Sequence, residues 1–196
     1  MKIAVTGGLG SGKSTVSKLL ASSLQCELIN TDQLCRKQLQ PGAEGLKKFQ
    51  EVFGGRFLHP DGTVNRQILR EVTFKDQRIK SQLEAILHPI ISEIVNQKWN
   101  QREGSIEHLV IEVPLLYEVQ WQDDFDECIV VYLPEHLVYE RVALRSGLSF
   151  EEIRSILQAQ MPIEEKRTHT QFIVDNSTTF ASSVLQVAYL VKTLVS

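Results

Sequence analysis

The chain has little of what marks several large classes of protein. Its 196 residues carry 21 basic and 24 acidic side chains, a net charge of −3, so the overall basic surface typical of nucleic-acid-binding proteins is missing. No apolar run approaches the roughly 20 residues of a membrane-spanning helix. The short apolar stretch Ile3–Val5 before the first glycines is too brief for a signal peptide. We therefore expect a soluble, cytoplasmic protein that binds neither nucleic acid nor membranes.

Cysteine is also scarce. The three cysteines, Cys26, Cys35 and Cys128, are odd in number and follow no metal-ligand spacing, which indicates reduced thiols in a cytosolic protein. The sequence has no internal repeat and no low-complexity segment. Hydrophobic residues make up 42% and charged residues 23%, a globular balance, and the length suits one α/β domain with inserted helices.

Short apolar runs alternate with segments of helical periodicity. The runs predict five strands, at Lys2–Thr6, Glu27–Asn30, Leu109–Val113, Glu127–Leu133 and Phe172–Val174. The helical segments are Lys13–Leu24, Thr31–Leu39, most of Gly45–Trp99, Pro134–Arg145, a helix capped by Ser149 and Glu152, and Thr178–Leu194. This alternation predicts an α/β fold with a five-stranded parallel sheet and right-handed crossovers.

The strongest signal is a glycine-rich segment directly after the first predicted strand. Residues Gly7–Ser14 fit the pattern G-x-x-x-x-G-K-[ST], in which backbone N–H groups of the loop and of the following helix approach phosphate oxygens. We expect Lys13 to contact the β- and γ-phosphates, Ser14 to bind Mg²⁺, and Thr15 to contact the α-phosphate. The predicted nucleotide-binding residues are Gly10, Ser11, Gly12, Lys13, Ser14 and Thr15. The pattern predicts ATP-type nucleotide and Mg²⁺ but not the acceptor.

Two carboxylates follow predicted strands, at the edge where open α/β sheets bind ligands. Asp32, after the second strand, is either a base that takes the proton of a substrate hydroxyl or a helix N-cap. Glu112, at the end of the third strand, is either a ligand of Mg²⁺ or its water, or a buried glutamate with a protein partner.

Basic residues occur at helical spacing in two places. Arg141 and Arg145 share one helix face and either neutralise a transferred phosphoryl group or face solvent, and Lys166 with Arg167 could add to that positive field. Arg66 and Arg70 have the same spacing and either bind an anionic substrate or face solvent. On composition alone, a single histidine in an apolar helix is more often a hydrogen-bonded core residue than a catalyst, which is the simpler interpretation of His88.

An ordered series of segments resembles the dephospho-coenzyme A kinase family along nearly the whole chain. The matching segments are Val5–Thr15, Ile29–Asp32, Pro41–Gly42, Asp61–Arg66, Leu69–Arg70, Leu87–Pro89, Val113–Glu118 and Val174–Asn176. The sequence departs from the family pattern at two places. The pattern usually has an acidic residue two positions before Asp32, where this chain has Asn30, and it usually has Ala-Asp before the last strand, where this chain has Thr170-Gln171. We expect Asn30 to change how readily Asp32 accepts a proton rather than to abolish activity.

The resemblance implies a P-loop kinase core with a helical substrate-binding insertion and a lid. It places the core at residues 1–40, 105–135 and 170–196, the insertion at about 41–104 and the lid at about 136–169, within one domain spanning 1–196. It implies transfer of the ATP γ-phosphoryl group to the ribose 3′-hydroxyl of dephospho-coenzyme A. Catalytic roles then fall to Asp32, Lys13, Arg141 and Arg145, and substrate contacts to Asp32, Arg66, Arg70 and His88. The oligomeric state stays open.

Overall fold

Five parallel strands form a single sheet in the computed structural model, which describes residues 1–101 and 108–195. The strands are β1 (Lys2–Gly7), β2 (Glu27–Asn30), β3 (Leu109–Glu112), β4 (Glu127–Tyr132) and β5 (Phe172–Asp175). Their spatial order is β2-β3-β1-β4-β5, so β1 is central and the chain changes direction of winding on either side of it. The predicted parallel sheet is confirmed, and β2 has the predicted bounds at both ends.

The helices connect the strands or follow them. They are α1 (Lys13–Ser23), α2 (Thr31–Gln38), α3 (Glu44–Phe53), α4 (Arg66–Lys75), α5 (Gln77–Asn100), α6 (Glu135–Ser146), α7 (Phe150–Gln158), α8 (Ile163–Lys166) and α9 (Phe180–Leu194). The short α8 was not predicted. Helix α9 begins two residues later than predicted, because the Thr179 hydroxyl caps it by accepting a hydrogen bond from the Ser182 N–H.

Side-chain caps mark the starts of two helices, and the cap at Ser149 and Glu152 confirms a prediction. The Asn65 side chain accepts a 3.1 Å hydrogen bond from the Ile68 N–H at the start of α4. Ser149 and Glu152 form a reciprocal capping box at the start of α7. Both caps satisfy N–H groups that would otherwise lack a partner at a helix start, so the local sequence determines where these helices begin.

The chain divides into two compact units, residues 1–30 with 103–196 and residues 31–102. In the first unit, α1 and α9 pack beside each other over a core of aliphatic side chains from the sheet. Ile3, Val5, Ile129 and Val131 are completely buried there. β-Branched residues suit such strands because they pack well on a pleated surface.

The second unit is helical and contains α2 to α5. Three aromatic rings, Phe49, Phe53 and Phe57, pack together with centroid distances of 4.8, 5.4 and 6.3 Å. Phe49 and Phe57 are almost completely buried. The long α5 packs against α3 and α4, so this unit has its own apolar core.

The expected boundaries of the insertion and the lid stay predictions. The expected junction between insertion and core at residues 104–105 lies outside the described residues. Within the described ranges, no helix has the length and apolar composition needed to cross a bilayer.

Candidate active site

The glycine-rich loop lies between the end of β1 and the start of α1. Gly10 and Gly12 adopt positive φ angles of 69° and 86°, which only glycine adopts without strain. Gly12 is the N-cap of α1 and offers no side-chain cap. The first N–H groups of α1 and the positive end of its dipole are therefore directed at the loop, as an anion-binding helix start requires.

Lys13 lies across this loop. Its ammonium donates hydrogen bonds to the carbonyl oxygens of Gly7, at 3.0 Å, and Gly8, at 2.7 Å. These bonds hold a full positive charge beside the N–H groups of the helix start. The combination of backbone donors and one ammonium is suited to a polyphosphate.

Ser14 and Glu112 come together at the same edge of the sheet. The Ser14 hydroxyl donates a 2.7 Å hydrogen bond to Glu112 Oε1, and Glu112 is only 4% exposed at the end of β3. Both residues expected to bind Mg²⁺ thus present oxygen atoms at one place, and oxygen is the ligand that Mg²⁺ prefers. Among the described residues, no group of three or more histidine, cysteine or acidic side chains forms a metal site by itself.

Helix α6 packs directly on the loop. A Cβ at Gly10 would come within 2.7 Å of Val142 Cγ2, so only glycine lets the loop approach α6 this closely. Arg141, next to Val142, is half-buried, and Arg145 is exposed one turn later. The structure therefore brings the helix that carries both predicted arginines into contact with the loop.

The segment after α7 contacts the loop as well, which the sequence did not reveal. Gln160 Oε1 accepts a 3.0 Å hydrogen bond from the Leu9 N–H. The adjacent Met161 N–H donates to Glu118 Oε1 at 2.9 Å. Since these partners are 151 and 43 positions apart, no local pattern could have paired them.

Lys166 does not belong to an accessible basic field, and that expectation is wrong. Its side chain is completely buried and its ammonium lies 2.8 Å from Glu118 Oε1 and 3.0 Å from the carbonyl oxygen of Pro114. Arg167 is exposed, pairs with Glu164 at 3.1 Å and lies over the ring of Tyr132 at 5.1 Å. Both charges are compensated within the protein.

Asp32 belongs to the second unit, in the first turn of α2. Helix α2 begins at Thr31, so Asp32 lies inside the helix and is not its N-cap. The carboxylate is exposed, and the positive end of the α2 dipole favours a negative charge there. Burial, together with the nearby charge of Asp32, raises the pKa of the Cys35 thiol to about 11. Cys35 is therefore a neutral thiol at neutral pH.

The other predicted substrate residues lie on α4 and α5. Arg66 begins α4, is exposed, and donates a 3.1 Å hydrogen bond to the carbonyl oxygen of Arg36. Arg70 is exposed one turn later, so both guanidinium groups lie on an accessible face of α4. His88 is half-buried within α5, directly before Pro89. Their substrate roles stay predictions.

The chain matches one known protein family over most of its length. The family model of dephospho-CoA kinase (CoaE) matches residues 1–182. The dephospho-CoA kinase of Desulfotalea psychrophila is 38% identical over 97% of this chain and 96% of its own length.

Two solved structures have the same fold over almost their full length. TT1252 from Thermus thermophilus is 28% identical, with a TM-score of 0.87 over 100% of this chain and 98% of its own. Dephospho-CoA kinase from Campylobacter jejuni is also 28% identical, with a TM-score of 0.68 over 99% of this chain and 98% of its own. The chain therefore belongs to the dephospho-CoA kinase family, a family of ATP-dependent kinases.

Proposed function

We propose that this protein transfers the γ-phosphoryl group of ATP to the ribose 3′-hydroxyl of dephospho-coenzyme A, which gives coenzyme A and ADP. The observation that carries the proposal is the polyphosphate-binding loop between β1 and α1, with the Lys13 ammonium held across it. Membership of the family over residues 1–182 supports the choice of acceptor. This reaction is the last step of coenzyme A biosynthesis.

The loop residues Gly10–Thr15 bind the ATP phosphates in this proposal. Their backbone N–H groups, at the positive end of α1, bind phosphate oxygens, and Lys13 supplies a charge to the β- and γ-phosphates. A site built from main-chain donors suits the transition state, because its dipoles are already oriented before charge develops.

Ser14 and Glu112 are the residues that would hold Mg²⁺. Their two oxygen atoms, 2.7 Å apart, fit a cation that takes few protein ligands and completes its shell with water and phosphate oxygens. When bound, Mg²⁺ neutralises charge on the β- and γ-phosphates. The buried Glu112 carboxylate orients the Ser14 hydroxyl toward that role.

Asp32 is the base in the proposed step. The ribose 3′-oxygen forms a bond to the γ-phosphorus while the bond from that phosphorus to the β,γ-bridging oxygen breaks and ADP leaves. The proton of the 3′-hydroxyl passes to the Asp32 carboxylate. The exposed position of Asp32 in the first turn of α2 leaves its oxygens accessible to a substrate.

Basic side chains bind the negatively charged groups of the reactants in this proposal. Arg141 and Arg145, on the helix that packs against the loop, neutralise the transferred phosphoryl group. Arg66, Arg70 and His88 contact dephospho-coenzyme A, whose phosphate groups are suited to guanidinium partners. Exclusion of water by the lid limits wasteful hydrolysis of ATP.

The test is acceptor-dependent release of ADP. Purified protein with MgATP is assayed with dephospho-coenzyme A, a nucleoside, a sugar acid, or no acceptor, and the product is identified by mass spectrometry and by the position of its phosphate. We expect rapid ADP release only with dephospho-coenzyme A and a 3′-phosphorylated product. The Lys13→Ala variant serves as the inactive control. Equal ADP release with every acceptor, or a product phosphorylated elsewhere, would refute the proposal.

A further inference from the structure

Asn176 contacts the phosphate-binding loop from the far end of the sequence. Its side-chain Nδ2 donates a 2.7 Å hydrogen bond to the carbonyl oxygen of Ser11, 165 positions earlier. Ser11 is 1% exposed. A Cβ at Gly12 would lie 2.2 Å from Asn176 Nδ2, so the approach of this side chain to the loop depends on glycine at that position.

A second partner, Ser183, stabilises the orientation of the Asn176 amide. Ser183 in α9 is 1% exposed, and its hydroxyl donates a 2.7 Å hydrogen bond to Asn176 Oδ1. The carbonyl oxygen of Ser11 can only accept, so it requires the amide nitrogen on its side. Ser183 stabilises that orientation because it bonds the oxygen on the other side.

The backbone around Asn176 is also held in place. The Asn176 N–H donates to the carbonyl oxygen of Tyr132, at the end of β4, at 3.0 Å. Gln186 bonds both the N–H and the carbonyl oxygen of Asp175, at 2.8 and 2.9 Å. The turn after β5 is therefore fixed to the sheet and to α9, and the Asn176 side chain has a rigid base.

The bond to Ser11 has a direct consequence for the loop. In a planar trans peptide the C=O and the N–H of the next residue point in opposite directions. An amide that holds the Ser11 carbonyl on one side thus directs the Gly12 N–H to the opposite side. Gly12 is the N-cap of α1, where N–H groups serve as anion donors.

We propose that Asn176, oriented by Ser183, is a positioning residue that holds the Ser11–Gly12 peptide in the conformation that binds the nucleotide phosphates. Nothing in the family resemblance assigns this role to either residue. The proposal rests on nucleotide binding by the loop, as in the proposed function, but not on the identity of the acceptor.

The test measures the Kd of MgADP and MgATP by calorimetry and the melting temperature of each variant. Asn176→Asp keeps the size of the side chain but removes the donor, and Ser183→Ala removes only the bond that orients it. We expect nucleotide Kd to rise about tenfold or more in Asn176→Asp and about two- to fivefold in Ser183→Ala. In Ser183→Ala the melting temperature should change little. Ser81→Ala, at an exposed serine of α5 far along the sequence from Asn176, is the control and should bind as the unaltered protein does.

The combination of variants separates positioning from a general loss of structure. Since Ser183 acts through Asn176, adding Ser183→Ala to Asn176→Ala should weaken nucleotide binding no further. Unchanged Kd values in Asn176→Asp and Ser183→Ala, or an additive loss in the double variant, would overturn the inference. If the Asn176 variants do not fold, the Kd of Ser183→Ala against that of Ser81→Ala decides it.

The two proposals fail in different ways. Tight nucleotide binding without phosphorylation of dephospho-coenzyme A would refute the proposed function and leave the role of Asn176 standing. Absence of nucleotide binding in the unaltered protein would refute both, before any variant is measured.

Discussion

The Ser14 hydroxyl and the Glu112 carboxylate are 2.7 Å apart in space and 98 positions apart in sequence. Glu112 is aligned with Val5 on β1 and with Asn30 on β2 in the parallel register of the sheet. The register thus brings the end of β3 beside the loop that leaves β1. The pairing joins the two residues that we propose for Mg²⁺.

Removal of the Glu112 charge should weaken the dependence on Mg²⁺. Glu112→Gln keeps an oxygen acceptor for the Ser14 hydroxyl but loses the negative charge. We expect the Mg²⁺ concentration for half-maximal turnover to rise about tenfold or more, since even changes behind a metal ligand lower metal affinity by about 10- to 100-fold and Glu112 is a proposed ligand itself. Titration of MgCl₂ at fixed ATP measures this, with Glu151→Gln, a change at an exposed position of α7, as control. An unchanged Mg²⁺ dependence would contradict the assignment.

The Asp32→Asn variant should lose turnover and keep its affinity for ATP. The amide cannot take the proton of the substrate hydroxyl, and loss of a general base lowers kcat by about 10²- to 10⁴-fold. Steady-state kinetics give kcat and calorimetry gives the Kd of ATP. Glu71→Gln, an exposed acid-to-amide change in the same unit, should leave both unaltered. Near-normal kcat in Asp32→Asn would remove Asp32 from the mechanism.

Gly7 and Gly8 should respond differently to alanine. A Cβ at Gly7 would lie 2.4 Å from the carbonyl oxygen of Val131, a backbone atom that cannot move aside cheaply, whereas nothing lies within 4 Å of a Cβ at Gly8. We expect Gly7→Ala to lower the free energy of unfolding by about 1–3 kcal/mol. Gly8→Ala should change it by less than about 0.5 kcal/mol. Urea denaturation of both variants provides the comparison, and equal losses would show that the close approach has no cost.

Lys166→Met should destabilise the protein strongly. The variant leaves the Glu118 carboxylate, 13% exposed, without its ammonium partner. Breaking a buried ion pair on one side typically costs about 3–5 kcal/mol. Adding Glu118→Gln removes the remaining charge and should restore part of the lost free energy of unfolding. Urea denaturation of the single and double variants measures both changes.

The exposed pair of Glu44 and Lys48 is the control for Lys166. Its atoms are as close, at 2.7 Å, but the side chains are 59% and 49% exposed. Lys48→Met should therefore change the free energy of unfolding by less than about 1 kcal/mol. A loss in Lys166→Met no larger than that in Lys48→Met would mean that burial adds nothing to this pair.

Much of the fold could be predicted because its signals are local. The apolar runs that became β1 to β5 are bounded by glycine, proline or polar residues, and the caps at Asn65 and Ser149 lie within four residues of the groups they satisfy. The start of α9 was less predictable, because Thr178 and Thr179 are compatible with a helix that already includes them. In the structure Thr179 instead caps a helix that begins at Phe180.

The burial of Lys166 could not be predicted, because the local sequence indicates the opposite. A lysine beside an arginine, after two glutamates, has the composition of an exposed helix. Its burial depends on Glu118 and the carbonyl oxygen of Pro114, which reach it only after the chain has folded.

The sequence by itself determined the alternation of strands and helices and the phosphate-binding loop, since Gly7–Ser14 must turn sharply and present main-chain N–H groups wherever the loop lies. Only the tertiary structure decided that Glu112 bonds Ser14, that Gln160 bonds the Leu9 N–H, and that Asn176 bonds the Ser11 carbonyl. The physical reason is that these partners are 98 to 165 positions apart, so the register of the sheet and the packing of α9, rather than any local periodicity, select which groups meet.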